Sequence, residues 1–450
     1  MSADSDSIRH VAIVGGGFSG AMLAARLAEA GVASTLIDRT GNFGMGVAYS
    51  TGFDGHLLNV RANRMSAVEG RPDDFVRWLE AHHPGHADPE GFAPRRLYGL
   101  YVRDRLATVE AAHPGLIAHV TGEAVAIDGG TVRLSDGRAI SADALILATG
   151  NPAPRTTATD QANSRILPDP ILPDPWAKGA LERIGQDDDV IIIGTGLTMA
   201  DVILSLTGRG WRGKATALSR RGLSPRAHPA HHDAPEPPNS MLKLGPLSRR
   251  LAEARRLSAS AGWRSVMEGL RPVTAELWAA ADAPMRARFL RHLRPWWDVH
   301  RHRIAGPVAE QLEMLTREGR LRLIAGRVLA AQADGPGVRL DWRPRGATQE
   351  ASMQADWLID CTGPGHDPTH DPVTASLITE GRARIDATGL GLDVDGSGRV
   401  LAANGEANDR LLVLGPPARS ALWETTAVPD IRKQIETMVR TLAQPVNEEA

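Results

Sequence analysis

The fold of this chain is decided by the stretch HVAIVGGGFSGAMLAARLAEAGVASTLID at residues 10–38. It opens with a short apolar run that ends at glycines, a pattern typical of a buried parallel strand. Gly15, Gly17 and Gly20 then follow the spacing G-x-G-x-x-G, and a run of good helix formers comes after them. A second apolar run ends at Asp38. The order strand, glycine turn, helix, strand and acid predicts a dinucleotide-binding βαβ unit.

Each residue type in this unit has a physical role. The first glycine permits the tight turn, the second lets the backbone approach a diphosphate, and the third allows helix and strand to pack closely. The helix N-terminus at Phe18 and Ser19 offers free amide groups and partial positive charge to that diphosphate. Asp38 can accept hydrogen bonds from ribose hydroxyls. A dinucleotide is therefore expected at this turn.

The same unit occurs a second time. An apolar run at 190–193 leads into Gly194-Thr195-Gly196, a helical stretch follows, and Met199 stands where the third glycine would be. Both copies end alike, with ALILATG at 144–150 and LIDCTG at 358–363. Repetition on this scale indicates two nucleotide-binding domains in one chain. The predicted fold class is therefore α/β, with two Rossmann-like dinucleotide-binding domains.

The two copies differ in the residues that end their second strand. The second copy ends with Ser219, Arg220 and Arg221 and has no acid there. Arginines at that position can hold the 2′-phosphate of NADP, which favours NADPH over NADH. The residues expected at the second dinucleotide are Gly194, Gly196, Thr198, Arg220, Arg221 and Gly363.

The remaining segments complete a two-domain plan. Alternating residues with hairpin turn signals at 117–140 predict an antiparallel meander, and a second meander is expected before residue 356. A helical insert at about 225–317 contains four of the ten tryptophans. It forms either a small core of its own or a lid over a pocket between the domains. We expect an FAD-type domain at 1–155 and 360–450 and an NAD(P)H-type domain at 156–359.

Composition narrows the class of protein. The net charge of −2 does not favour nucleic acid or an anionic membrane as a partner, and no apolar run approaches the roughly 20 residues that span a bilayer. A cytoplasmic location is the default expectation. The single cysteine, Cys361, excludes an internal disulfide, a C-x-x-C redox pair and a multi-thiolate zinc site.

Three polar clusters are candidates for a functional role. His228, His231, His232 and Asp233 lie in a proline-rich loop without a matching distant ligand, so no metal site is predicted. His300 and His302, in WWDVHRHR, are either a proton shuttle or a polar helix face. Glu424 either orients a substrate or occupies the first turn of a helix. No catalytic residue is assigned.

Several segments extend the analysis beyond single motifs: VAIVGGGFSGAMLAARLA, GVAYST, HLLNVRANRMSA, SRRGLSPRAH, RFLRHLRPWWDVHRHR and LWETTAVPDIRKQ. Together they resemble a family of bacterial FAD/NAD(P)-binding proteins, similar in layout to the class B flavin monooxygenases and the ornithine and lysine N-hydroxylases. The resemblance implies FAD at the first site and NAD(P)H at the second. The Baeyer–Villiger fingerprint F-x-G-x-x-x-H-x-x-x-W is absent between the two domains, which argues against a Baeyer–Villiger monooxygenase.

The resemblance also implies roles for individual residues. The FAD diphosphate would be held by Gly15, Gly17, Phe18, Ser19 and Gly20, with Asp38 on the adenosine ribose. The residues implied on the flavin side are Gly46, Asn59 and Met65. Those implied to close over the cofactor are Thr149 and Gly150. Backbone amides would point at the flavin ring from Gly415 and from a helix starting near Thr425 and Thr426.

The expected function is that of an FAD-dependent, NADPH-using oxidoreductase, a monooxygenase acting on a small molecule at nitrogen, sulfur or carbon. Two alternatives stay open from the sequence. One is a flavin reductase or dehydrogenase that does not oxygenate its substrate. The other is a non-enzymatic redox sensor or scaffold, which the paired arginines of the second site argue against because a sensor needs no hydride donor. The sequence does not assign an oligomeric state.

Overall fold

The computed structural model describes residues 8–152, 170–231, 234–363, 365 and 367–443. The strands, in chain order, are β1 (His10–Val14), β2 (Ala33–Asp38), β3 (Ile117–Thr121), β4 (Ala124–Asp128), β5 (Thr131–Leu134), β6 (Ala139–Ser141), β7 (Ala144–Leu147), β8 (Ile171–Leu172), β9 (Val190–Ile193), β10 (Ala215–Ser219), β11 (Leu321–Asp334), β12 (Gly337–Pro344), β13 (Ala351–Ala355), β14 (Trp357–Asp360), β15 (Arg399–Leu401) and β16 (Ala407–Val413).

The α-helices, in chain order, are α1 (Phe18–Glu29), α2 (Gly46–Tyr49), α3 (Asp74–His82), α4 (Arg95–Ala112), α5 (Leu197–Gly208), α6 (Ser240–Lys243), α7 (Leu247–Ala261), α8 (Trp263–Leu270), α9 (Thr274–Ala279), α10 (Ala283–Arg288), α11 (Arg294–Arg301), α12 (Gly306–Arg317), α13 (Pro372–Thr379) and α14 (Val428–Ala443). A π-helical turn, Phe289–Leu293, joins α10 to α11.

The first sheet has the order β15-β16-β7-β1-β2-β3. All its pairs are parallel except that of β15 with β16. Strands β1 and β7 are central and almost wholly apolar, as expected of parallel strands covered on both faces. Helices α1, α3, α4 and α14 cover one face, and α13 with the β4-β5-β6 meander covers the other. This sheet combines residues from both ends of the chain.

The second sheet repeats this plan with the order β13-β12-β11-β10-β9-β14-β8. Strands β8, β14, β9 and β10 and the first part of β11 are parallel, whereas the rest of β11 runs antiparallel to β12 and β12 to β13. The α/β class with two glycine-turn units is therefore confirmed. The expected domain boundary near residue 155 lies outside the described residues, and the division into domains stays a prediction.

One expectation for the first domain was wrong. Residues 117–121 were assigned to the antiparallel meander, but β3 pairs in parallel with β2 at the edge of the first sheet. The meander contains only β4, β5 and β6. The alternating pattern shows only that one face of the strand is exposed. An edge strand has such a face whether its pairing is parallel or antiparallel, so the pattern does not give the direction of pairing.

The insert is mostly helical from Ser240 to Arg317; its packing agrees with a small core of its own, and its role as a lid stays a prediction. It has a small core of its own, in which Leu242, Leu257 and Val266 pack together. It also docks on the first domain, because Trp278 stacks on Trp423 with ring centroids 4.6 Å apart. The insert therefore spans the two domains.

Candidate dinucleotide-binding sites and the adjoining cleft

The first glycine turn is held by close backbone contacts that no side chain could share. Gly15 has φ +111°, and a Cβ there would lie 2.2 Å from the carbonyl oxygen of Ala148. A Cβ at Gly20 would lie 2.0 Å from the carbonyl oxygen of Gly15. Both positions therefore require glycine. The contact also places the end of β7, and with it Thr149 and Gly150, directly against the turn.

The N-terminus of α1 is open to an anion. Gly17 is its N-cap residue and supplies no side-chain capping hydrogen bond, and the first turn contains no acidic residue. The nearest atom to a Cβ at Gly17 would be Gly46 Cα at 3.4 Å, so two backbones line this space. Free amides and the positive end of the helix dipole meet here. The residues present fit the diphosphate of a dinucleotide such as FAD.

Asp38 is placed to organise the turn as well as a ribose. Its Oδ2 accepts from the Gly16 amide at 3.0 Å, and its Oδ1 accepts from the amide and hydroxyl of Thr40 at 2.8 and 2.7 Å. The carboxylate thus lies beside the glycine turn, where the sequence places the adenosine ribose. Its role toward a ribose stays a prediction.

The second turn repeats the geometry of the first. Gly194 has φ +109°, and a Cβ there would lie 2.2 Å from the carbonyl oxygen of Cys361. Gly196 is the N-cap of α5 and has open space where a side chain would be. Thr198 lies half-buried in the first turn of that helix, and Gly363, with φ +88°, follows β14 as Gly150 follows β7. Met199 is fully buried in the second core.

The two arginines of the second site stand at the end of β10. Thr195 Oγ1 lies 2.8 Å from Ser219 Oγ, which ties the end of this strand to the glycine turn. Arg220 is exposed, and Arg221 lies over the ring of Trp296 at 6.0 Å. Neither guanidinium forms an ion pair with another residue that the structure describes. Both are free to receive a phosphate.

The residues expected on the flavin side are divided between surface and core. Asn59 is half-buried, and its carbonyl oxygen lies 3.0 Å from His228 Nε2. Met65 is 3% exposed and packs within the first core. Gly46 begins α2 with φ +59° and faces Gly17. Asn59 and Gly46 therefore remain accessible candidates, whereas Met65 contributes to packing.

The expectation for the C-terminal segment was wrong in its details. The final helix begins at Val428, so Thr425 and Thr426 precede it in a turn. The Gly415 amide donates to Gln434 Oε1 at 3.0 Å, and the Thr425 and Thr426 amides donate to nearby carbonyl oxygens. Gln434, on the helix, binds the Gly415 amide and the Val413 carbonyl oxygen, whereas the two threonine amides bond within their own turn. They do not point freely into a cofactor site.

The polar clusters singled out in the sequence have structural partners. His300 Nδ1 lies 2.7 Å from the carbonyl oxygen of Trp296, and burial lowers the pKa of His302. Glu424 Oε1 accepts from Trp297 Nε1 at 3.1 Å. Among the described residues, which exclude His232 and Asp233, no group of three or more potential ligands could hold a metal ion. The single cysteine is buried, and burial raises the pKa of its thiol.

A cleft that the sequence did not predict lies where the insert meets the first domain. We call it the arginine cleft; its charged lining residues are Arg61, Arg64, Glu268, Arg271, Arg301 and Arg303. Asn59 lies on its wall. In the motif WWDVHRHR the helix ends at Arg301, and Arg301 and Arg303, on either side of His302, both line this cleft. Alternating arginines at a helix end were the available signal.

No helix in the described part of the chain is long and apolar enough to cross a membrane. Residues 12–152 match a family model described as FAD-NAD(P)-binding. A search of curated proteins gave no match.

Solved structures of similar architecture cover nearly the whole chain. The ornithine hydroxylase of Pseudomonas aeruginosa is 15% identical with a TM-score of 0.62, and the match covers 97% of this chain and 98% of that one. The L-lysine 6-monooxygenase of Pseudomonas syringae is 15% identical with a TM-score of 0.64, covering 97% and 99%. The FAD-bound cadaverine monooxygenase of Erwinia amylovora is 14% identical with a TM-score of 0.65, covering 99% and 97%. The chain thus shares the fold of these monooxygenases, and its residues 12–152 match the FAD-NAD(P)-binding family model.

Proposed function

We propose that this protein is an FAD-dependent, NADPH-using oxidoreductase that acts as a monooxygenase on a small molecule. The observation that carries the proposal is the presence of two equivalent glycine turns, at Gly15 and Gly194, each with a helix N-terminus open to a diphosphate. The similarity in fold to three monooxygenases supports it. FAD, when bound, would supply the hydride acceptor and the reactivity toward dioxygen.

Contacts between the two proposed domains fix the position of one dinucleotide site relative to the other. Arg95, which begins α4 of the first domain, forms a bidentate ion pair with Asp201 of α5 at 2.7 and 3.2 Å. His56 of the first domain is buried, and its Nε2 lies 2.8 Å from Ser205 Oγ on the same helix. Helix α5 begins at the second glycine turn. The helix that would bind NADPH is therefore anchored on the domain that would bind FAD, and a fixed distance between the cofactors favours hydride transfer.

This chain's own residues supply positioning and charge. The first turn would orient the FAD diphosphate, and Arg220 with Arg221 would select the 2′-phosphate of NADPH. The division into an FAD domain of 1–155 with 360–450 and an NADPH domain of 156–359 is part of the proposal. A cytoplasmic location also belongs to it.

The reaction with oxygen separates a monooxygenase from a reductase. The FAD-loaded protein would be reduced with NADPH without oxygen and then mixed with aerated buffer, while its absorbance spectrum is recorded over time. A transient spectrum that is neither that of the reduced nor that of the oxidised flavin supports the monooxygenase. A direct return to the oxidised spectrum, with hydrogen peroxide equal to the NADPH consumed, would show a reductase or oxidase instead.

A further inference from the structure

The arginine cleft carries more positive charge than its own residues neutralise. Five arginines line it, and Glu268 is the single carboxylate among the lining residues. Glu268 is shared by two of them, accepting from Arg303 at 2.8 Å and from Arg64 at 3.2 Å. Arg61 is engaged elsewhere, because its Nη2 donates to the carbonyl oxygen of Pro229 at 2.6 Å and its Nη1 forms an ion pair with Glu90 at 3.5 Å.

Arg271 and Arg301 are left with the least compensation. Arg271 forms no hydrogen bond and no ion pair within the described residues, although Asp430 and Glu268 attract it at longer range. Arg301 Nη2 forms an ion pair with Glu424 Oε2 at 3.0 Å, but the two atoms are not aligned for a hydrogen bond. The buried Nε and Nη2 of Arg301 therefore lack acceptors in the described structure. Buried donors without acceptors are costly, so a site of this kind requires a ligand or water.

The electrostatics of the cleft agree with the geometry. Burial, together with the positive charges of Arg301 and Arg64, lowers the pKa of Arg271 to about 10. Asp430 does not fully compensate, because burial raises the pKa of its carboxyl group and its Oδ2 has no hydrogen-bond donor among the described residues. His228, also on the wall, has its pKa lowered to about 4 by burial and is neutral near pH 7. An anion would relieve this excess of positive charge.

We propose that the arginine cleft binds the oxyanion group of the substrate, a carboxylate or a phosphate, through Arg271 and Arg301. Planar guanidinium groups bind both of these oxyanions in bidentate fashion. The enclosed part of the cleft measures about 20 Å³, which is room for roughly one water-sized group, so only oxyanion oxygens would enter it and the rest of the substrate would lie outside. This inference rests on the proposed function and on the expectation that Asn59 lies on the flavin side, and it gives the substrate class as a small organic anion.

The test uses simple anions as probes on the FAD-loaded full chain. Sodium acetate, inorganic phosphate and neutral acetamide would be titrated at constant ionic strength, and the melting temperature and flavin spectrum would be recorded. We expect a saturable rise in melting temperature with acetate, with phosphate or with both, and none with acetamide. A response to acetate alone would indicate that the substrate carries a carboxylate, and a response to phosphate alone would indicate that it carries a phosphate group. Equal responses to acetamide, or no response to either anion, would overturn the proposal.

Variants test whether the response to anions arises from Arg271 and Arg301. Arg271→Gln and Arg301→Gln should weaken the anion response at least about tenfold, whereas the exposed Arg255→Gln in α7 should leave it unchanged. Arg271→Lys, which keeps the charge, should restore part of it. Glu268→Gln should strengthen anion binding, because it removes the competing carboxylate; a purely structural role for this cluster predicts the opposite. An unchanged response in Arg271→Gln would contradict the assignment.

Two further measurements distinguish a failure of this proposal from a failure of the proposed function. FAD content and anaerobic bleaching by NADPH would be measured on the same samples. Normal bleaching without an anion response would defeat the cleft assignment alone, and absent bleaching in the unmodified protein would defeat the proposed function. If Arg271→Gln weakened NADPH binding tenfold, the cleft would be holding a nucleotide phosphate, and the substrate assignment would be wrong.

Discussion

At the scale of single residues, the first glycine turn separates a folding requirement from a binding requirement. Gly15 and Gly20 face backbone atoms at 2.2 and 2.0 Å from the Cβ that a larger residue would carry. Gly17 faces only Gly46, with an ordinary contact distance of 3.4 Å. Gly15 and Gly20 are thus needed for the fold, whereas Gly17 leaves room for the diphosphate.

Gly17→Ala should therefore fold normally and bind FAD at least about tenfold more weakly, because its methyl group would stand between the diphosphate and the helix amides. FAD affinity would be measured by fluorescence quenching and stability by thermal denaturation. Gly52→Ala is the matched control, since a Cβ there meets nothing within 4 Å. Unchanged FAD affinity in Gly17→Ala would show that the diphosphate lies elsewhere.

The second residue-scale prediction concerns nucleotide choice. Replacing both Arg220 and Arg221 with Gln should raise the Kd for NADPH about tenfold and leave the Kd for NADH nearly unchanged, because only NADPH carries the 2′-phosphate. The measurement is the concentration dependence of anaerobic flavin bleaching with each nucleotide. Equal losses for NADPH and NADH would mean that the arginines stabilise the strand end and do not select the phosphate.

At the scale of elements, the segment after β10 docks on the first domain through His228. Its Nε2 lies 3.0 Å from the carbonyl oxygen of Asn59, and its ring packs 5.0 Å from that of Phe92. Burial lowers the pKa of His228 to about 4, below the roughly 6.5 of an unfolded chain. Between these values the unfolded state binds more protons, so stability is lost as the pH falls from about 6.5 toward 4.

His228→Gln should reduce the pH dependence of the free energy of unfolding between pH 6.5 and 4. Urea denaturation at several pH values in this range measures it. His86→Gln, at an exposed histidine, is the control and should keep the steep dependence of the unmodified protein. If both variants kept the same dependence, proton uptake at His228 would not contribute to acid sensitivity.

The elements also show what the sequence could predict. Strands β1 and β9 and helices α1 and α5 were predictable because apolar runs, glycine spacing and helix formers agree there. The pairing of β3 was not, because one exposed face looks the same in a parallel edge strand and in a hairpin. The sequence predicts the start of α14 near Thr425, three residues before its observed start at Val428; Pro429 lies in the first turn of this helix, where a proline is well accommodated.

At the scale of the whole molecule, an ion pair joins α4, which packs in the core of the first sheet, to α5, which packs in that of the second. Arg95 and Asp201 are 21% and 9% exposed, so their charges are largely removed from water. The neighbouring pair of Arg96 with Asp54 is 36% and 59% exposed. Buried pairs are costly to break because one charge is left uncompensated, whereas exposed pairs contribute little.

Asp201→Asn should therefore lower the free energy of unfolding by about 3 kcal/mol. Arg96→Gln, which breaks the exposed pair beside it, should cost less than about 1 kcal/mol. Chemical denaturation measures both values. Asp201→Asn should also slow flavin reduction by NADPH, since α5 carries the second site. A cost no greater than that of Arg96→Gln would show that the pair does not hold the domains together.

The arginine cleft could not be predicted because its residues come from separate segments. Arg64 lies in the first domain, Arg271 follows α8, and Arg301 ends α11. No local pattern links these positions, and only the docking of the insert brings them together. The glycine turns, by contrast, are local in sequence, which is why the sequence predicts their backbone conformation, whereas their role in binding stays a prediction.

The central claim is that one chain holds two dinucleotides and passes a hydride between them. The most direct test is to titrate the FAD-loaded protein with NADPH in the absence of oxygen and to record the flavin absorbance. We predict complete bleaching by one equivalent of NADPH per FAD, with Gly196→Ala requiring a large excess. An unchanged flavin spectrum with both NADPH and NADH would contradict the account.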